Sequence, residues 1–198
     1  MQLDLAFDAE AHAYTLGGVR IPSVTQVLSF GQDLSRIPRW TAERGTAFHL
    51  CTELDDIGDL DPESVDPLVQ PHLKAYRGWR RIRRPHFIHT ELKVWGEIDG
   101  LKYAGTIDRV IDDSAHGYDG VRLIDIKSGA PRKEHGAQLH AYSVAYQQRV
   151  SRPVSEVSGL YCDKEGRFSE RPYDGPEYLE TFRRKLAEWY EANGGVNA

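Results

Sequence analysis

Two cysteines in 198 residues, Cys51 and Cys162, are too few to form a spaced metal motif, a framework of bridges or a four-cysteine iron-sulfur site. A reducing compartment is therefore expected, with no iron-sulfur cluster. No apolar run approaches the roughly 18 residues that span a bilayer. Met1 to Glu10 already carries Asp4, Asp8 and Glu10, where a secretory signal would begin with basic residues. The sequence thus predicts a cytoplasmic protein without a membrane partner. A Gly-x-x-x-x-Gly-Lys-Ser/Thr phosphate loop is also missing, so no ATP requirement is expected inside this chain. Nor is there an excess of positive charge. The net charge of -5 argues against a protein that coats nucleic acid without specificity. Repeats, low-complexity tracts and interdomain linkers are absent as well.

What is present is ordinary globular material: 40% hydrophobic, 28% charged and 10% aromatic residues. The length suits one core. We read residues 1–198 as a single domain, with an N-terminal hairpin and helix (1–35), a catalytic core (36–150) and C-terminal strands and a helix (151–198). The Gly17-Gly18 pair predicts a hairpin between two short strands, and Ser23 after Pro22 predicts a helix N-cap. Further helices are predicted over Pro38–Asp56, over Pro62–Arg84 with an irregular start at Pro67 and Pro71, over Lys133–Gln148 and over Pro176–Glu191. On the Pro38–Asp56 helix, Trp40, Ala47, Phe48, Cys51 and Leu54 are expected on or near the apolar side. Strand alternation marks Phe87–Trp95, with a turn at Gly96–Gly100, then Leu101–Ile111, Val121–Lys127, Val154–Tyr161 and Phe168–Tyr173. This order predicts an α/β sandwich around a mixed sheet. The run Arg77, Arg80, Arg81, Arg83 and Arg84 is either a phosphate-guiding patch or the solvated face of a helix.

The chemistry concentrates on two neighbouring strands. Asp125 and Lys127 lie two apart in Leu123-Ile124-Asp125-Ile126-Lys127, so they project from one face. Asp-x-Lys on a strand often makes only a surface ion pair. The flanking Ile124 and Ile126 argue instead for a buried strand, where charge without a partner is expensive. Asp108, ending Gly105-Thr-Ile-Asp108, can bring a second carboxylate to the same place. Paired carboxylates are hard oxygen ligands for magnesium or manganese, and a nearby lysine can stabilise charge developing on a phosphate.

Four segments then resemble, in order, the motifs of RecB-like nucleases of the PD-(D/E)XK superfamily. They are Arg44-Gly-Thr-Ala-Phe-His49, Gly105-Thr-Ile-Asp108, Asp125-Ile-Lys127 and Gln138-Leu-His-Ala-Tyr142. Tyr14, Gly18 and Pro22-Ser-Val-Thr25 resemble the lead-in of stand-alone phage-type and mitochondrial-type exonucleases. The resemblance implies a restriction-endonuclease-like core and metal-dependent hydrolysis of DNA with free ends, in repair, recombination or phage DNA processing. It implies one or two Mg2+ or Mn2+ ions held by His49, Asp108, Asp125 and the Ile126 carbonyl, with Lys127 as the catalytic lysine. Glu53, one helical turn after His49, is a further candidate ligand. Glu91 is either an acid of the site or a structural residue. Gln138 and Tyr142, one turn apart, together with Arg44, Thr46 and Ser128, are expected to support the site or contact nucleic acid; Arg132 and Lys133 are weighed as further phosphate contacts. A helicase or recombination partner encoded elsewhere fits this reading. Two alternatives stay open: a restriction-type endonuclease, and a catalytically silent nucleic-acid-binding protein on the same fold. A zinc site built on His86 and His89 is weaker, because no paired Cys or HExxH spacing supports it.

Overall fold

The computed structural model describes residues 4–194 except 34, 36–37, 113, 115–116, 118 and 151. The N-terminal strands β1 (Leu5–Asp8), β2 (Ala13–Leu16) and β3 (Val19–Ile21) form a three-stranded antiparallel sheet. Gly17 and Gly18 both have positive φ (58° and 84°), which permits the two-residue turn between β2 and β3. β1 is an addition to the expected hairpin. Helix α1 (Val24–Ser29) follows, capped as expected: the Gln26 amide donates to Ser23 Oγ, and the Ser23 amide donates to Gln26 Oε1.

Helix α2 (Arg39–Ile57), a short 3-10 turn (Pro62–Ser64) and helix α3 (Gln70–Arg83) come next. The expected helix over Pro62–Arg84 is thus broken, because Pro67 and Pro71 delay its regular part. Trp40 does not join the apolar side. It is 54% exposed, and its ring lies under the Arg44 guanidinium, 5.1 Å away.

The main sheet has the order β4 (His86–Ile98), β5 (Leu101–Asp112), β6 (Val121–Lys127), β7 (Val154–Cys162), β8 (Phe168–Pro172). Only β6 and β7 run parallel, joined by helix α4 (Lys133–Arg149); helix α5 (Pro176–Ala192) ends the described fold. β4 is longer than expected. It runs through Gly96, and the turn to β5 is the tight pair Asp99-Gly100, both at positive φ.

Each face of the sheet carries its own core. Val121 and Leu123 of β6 pack with Tyr142, Tyr146, Phe182 and Leu186 of α4 and α5, whereas Ile124 and Ile126 pack with Phe48, Tyr76 and Trp79 of α2 and α3. The period of two along β6 therefore sends Asp125 and Lys127 to the α4 side. No described helix is long and apolar enough to cross a membrane.

Candidate metal centre

The site lies where β5 and β6 part. Their antiparallel register runs from Asp112↔Val121 to Arg109↔Ile124 and stops there. One residue further, the Asp108 carboxylate takes over from the backbone: its Oδ2 accepts the Ile126 amide at 2.6 Å. The edge of β5 that β6 leaves is taken up by the N-terminal segment, where the Ala104 amide donates to the Pro22 carbonyl. A strand that changes partner in this way opens a notch with buried walls.

Two groups converge in the notch beside Asp108. His49, on the sheet-facing side of α2, places Nδ1 3.6 Å from Asp108 Oδ2. Glu91 of β4 lies between the register pairs Thr90↔Arg109 and Leu92↔Ile107, so it sits opposite Asp108. It holds φ at 49°, an uncommon conformation for a non-glycine strand residue that costs on the order of 1 kcal/mol. One ligand atom each of His49, Glu91 and Asp108 lies within 4.8 Å of the others. This is the one such group among the described residues. His86 and His89, exposed on β4, join no cluster there.

Asp125 and Lys127 lie beside that group of three and outside it, near enough for Asp108 to act on Asp125 by charge. Lys127 Nζ donates to Asp125 Oδ1 at 2.9 Å and lies 2.7 Å from Oδ2. That second contact is badly directed, so buried Oδ2 has no hydrogen-bond donor. The Lys127 ammonium meets that oxygen by charge alone, which leaves its lone pairs open to a further cation. Burial pushes the Asp125 carboxyl up to about 7; Lys127 draws it down, and the Asp108 charge raises it further. Burial alone would lower the Lys127 pKa, but the charges of Asp125 and Asp108 win and raise it, so Lys127 is an ammonium at neutral pH. Burial likewise lifts Glu91 to about 8, with Asp108 and Glu53 adding to the rise and Arg109 opposing it. His49 is lowered, chiefly by desolvation, while Asp108 and a hydrogen bond to the Ile126 backbone pull the other way. The neutral imidazole that ligation needs is thus the form at neutral pH.

Three carboxylates, one of them with a buried oxygen that accepts no hydrogen bond, and a neutral imidazole form a hard donor set, suited to magnesium or manganese. The residues fit the cation that the sequence implied. Carboxylates that hold protons near neutrality for want of positive charge are discharged when a divalent ion arrives.

A buried arginine braces this arrangement. Arg109, fully buried, donates to Asp56 and Tyr76 through Nε, to Glu91 and the Asp108 carbonyl through Nη1, and to Thr52 through Nη2. Thr52 and Asp56 follow His49 by three and seven residues on α2, so one guanidinium ties the histidine's helix to the strands of both acids. Sequence reasoning missed Arg109. The one signal was its position beside Asp108, and an arginine on a strand normally points to water.

The other expected residues divide. Gln138 Nε2 donates to the Tyr142 hydroxyl at 3.0 Å, both side chains buried, and Tyr142 feels the charges of Asp125 and Asp108. Gly105 explains its own place: a Cβ there would lie 2.4 Å from Tyr142 Cε1, so only glycine lets that ring cross β5. Arg44 and Ser128 line a pocket next to the end of β6. Glu53 stands close enough to raise Glu91 yet outside the ligand group. Thr46 is turned away, exposed, with its hydroxyl donating to the Ala42 carbonyl. Arg132 and Lys133 are exposed at the start of α4. Tyr14, quoted only as part of the lead-in, reaches the rim: its hydroxyl shares a 2.7 Å hydrogen bond with Thr106 Oγ1, and it senses Glu91.

Comparison with known proteins places the arrangement. A crystal structure of a presumed exonuclease from Eubacterium rectale is similar over 85% of this chain and 77% of that one, with a TM-score of 0.59 and 13% identity, a likeness of fold alone. A second, SSO0001, reaches a TM-score of only 0.41 at 18% identity, over 87% and 85% of the two chains. No curated protein matches. The family profile of the PD-(D/E)XK nuclease superfamily matches residues 64–194, a span that holds Glu91, Asp108, Asp125, Lys127, Gln138 and Tyr142 but not His49. The chain belongs to the PD-(D/E)XK nuclease superfamily.

Proposed function

We propose that this protein is a single-domain, magnesium- or manganese-dependent deoxyribonuclease that hydrolyses phosphodiester bonds of DNA from free ends. Asp108, Asp125, His49 and the Ile126 carbonyl are the ligands in this reading, and Glu91 completes the carboxylate set. One observation carries it: His49, Glu91 and Asp108, from α2, β4 and β5, bring one ligand atom each within 4.8 Å where two strands separate, and the Asp125–Lys127 pair of β6 lies close enough for its charges to act on them. A divalent ion bound there supplies Lewis acidity and positive charge toward a phosphoryl oxygen.

The chain's own groups do the rest. Lys127, kept protonated by Asp125, is a hydrogen-bond donor; it orients the attacking water or steadies charge on the phosphate and does not abstract a proton. Asp108 is locked by the Ile126 amide, so its free lone pairs keep one direction. Gln138 and Tyr142 brace the α4 side of Asp125. End-directed cutting rests on the likeness of Tyr14, Gly18 and Pro22–Thr25 to stand-alone exonucleases. A cytoplasmic repair, recombination or phage role, with a helicase or recombination partner encoded elsewhere, follows from the same likeness.

The test is incubation of end-labelled single- and double-stranded DNA, and of covalently closed circles, with Mg2+, Mn2+ or a chelator. Wild type should degrade linear DNA only with metal and spare the circles, and Lys127→Ala should abolish turnover while keeping the fold. Nicked circles would make it an endonuclease. DNA binding without metal-dependent turnover would make it a silent binding protein.

A further inference from the structure

A broad groove lies away from the metal cluster. About 1150 Å³ in volume, it runs between α3 and the β7–β8 hairpin. A second pocket of about 590 Å³ shares Lys164, Glu165, Arg167 and Phe168 with it and continues to Arg44 and to Ser128, the residue after Lys127. Together they form one trough, leading from the end of the catalytic strand across the hairpin to α3.

Its charges have been sorted by the fold. Of the arginines in the run on α3, Arg77 and Arg80 are held by Asp55, and Arg83 by Glu170. In the trough itself Arg167 is paired with Asp163 and Glu165. Lys74, Arg81 and Lys164 are exposed there and have no acidic partner within 4.0 Å among the described residues. Half-buried Phe168 stands where the two hollows join, and at the near end Arg44 has a buried Nε with no hydrogen-bond partner. Free cations spaced along a trough, with an aromatic ring between them, suit a flexible polyanion carrying flat apolar groups.

We propose that this trough is the track for a single strand of nucleic acid flanking the cleavage point, with phosphates on Lys74, Arg81 and Lys164 and a base stacked on Phe168. The inference rests on the nuclease reading for the origin of the strand, but the binding itself needs no turnover. A duplex is disfavoured because the reading cations lie along a bounded hollow with an aromatic floor, where unstacked bases are required for contact.

The test uses the full chain as Lys127→Ala, so that nothing is cut. Fluorescence anisotropy is read in chelator with labelled oligo-dT and oligo-U of about 4 to about 16 nucleotides, and with blunt duplex. Affinity for single strands should rise with length. The triple variant Lys74→Ala, Arg81→Ala, Lys164→Ala should lose that length dependence, bind the longest strands at least tenfold more weakly, and lose about 2 from the slope of log K against log salt. Phe168→Leu should weaken binding about fivefold without changing the slope. In the Lys127→Ala background both must retain the parent's thermal midpoint to be read. With Lys127 restored, the triple variant should raise KM for long strands and leave kcat unchanged. Unchanged length and salt dependence would overturn the track, and so would an equal loss on blunt duplex. Oligo-dT bound as tightly as oligo-U supports it, since stacking and phosphate contacts do not read the sugar. A wild type that binds with length dependence yet never cuts would refute the nuclease reading and leave the track standing.

Discussion

In the absence of metal, Asp125→Asn should make the protein more stable, and more so as the pH rises. The Asp125 side chain is 2% exposed, and its carboxyl is pushed up to about 7. An unfolded aspartate titrates near 3.9, so between these values the folded state holds a proton that the unfolded state has lost. The sign follows: a raised folded pKa means stability that is complete below about 4 and declines as pH climbs through about 7. The ceiling on the cost is on the order of 1–2 kcal/mol at pH 5 and 4 kcal/mol at pH 8. Asparagine resembles the protonated acid and escapes that cost, although it leaves the Lys127 ammonium without a charged partner, which subtracts from the gain. For a chain of this size 1 kcal/mol moves the thermal midpoint by about 2–4 °C, so the variant should melt about 3–6 °C above wild type at pH 5 and about 8–16 °C above it at pH 8, both as upper bounds. Differential scanning calorimetry with a chelator present, from pH 5 to pH 8, reads the gap directly. Adding Mn2+ should close the gap from the wild-type side, because only the aspartate gains a cation. Parallel melting profiles, or a gap that shrinks with pH, would refute the electrostatic account of the site.

The brace at Arg109 predicts a different cost. Arg109→Met removes a buried guanidinium and leaves Glu91 without its cation and Asp56 with Arg80 alone, so urea unfolding should show a loss of about 3–5 kcal/mol, with metal affinity reduced alongside. Gly105→Ala sets a methyl group against the Tyr142 ring and should cost about 1–3 kcal/mol; Gly105→Ala with Tyr142→Leu should recover most of that loss, and a lack of recovery would mean that another contact decides. His49→Asn should keep the thermal midpoint in chelator within about 2 °C, since it removes a half-buried ring and no ion-pair network, yet weaken Mn2+ binding at least tenfold by calorimetry.

The parts of the fold that repeat were legible in the sequence. Helix boundaries came from the apolar spacing and from Ser23, and the alternation around Asp125 and Lys127 gave both their strand and their shared face. The contacts that hold the site were less so. Glu91 enters the ligand group because its backbone leaves regular strand geometry opposite Asp108, which no local pattern announces. Arg109 is buried because three elements distant in sequence, α2, α3 and β4, each supply an acceptor to it, a cooperation visible only after folding. Thr46 shows the converse: its place in the histidine motif suggested a site role, but the turn of α2 faces its hydroxyl to the helix's own backbone. The arginine run of α3 was ambiguous for a related reason, since the sequence does not show that Asp55 and Glu170 claim three of its members.

The account stands on His49, Glu91, Asp108 and Asp125 forming one cation site. Titration of the chelator-stripped protein with Mn2+ at pH 7.5, followed calorimetrically, measures that most directly. One or two ions should bind with release of protons from Glu91 and Asp125, seen as a heat that changes with the ionisation enthalpy of the buffer, and Asp108→Asn should abolish the signal. No heat, or the same heat from Asp108→Asn, would contradict it.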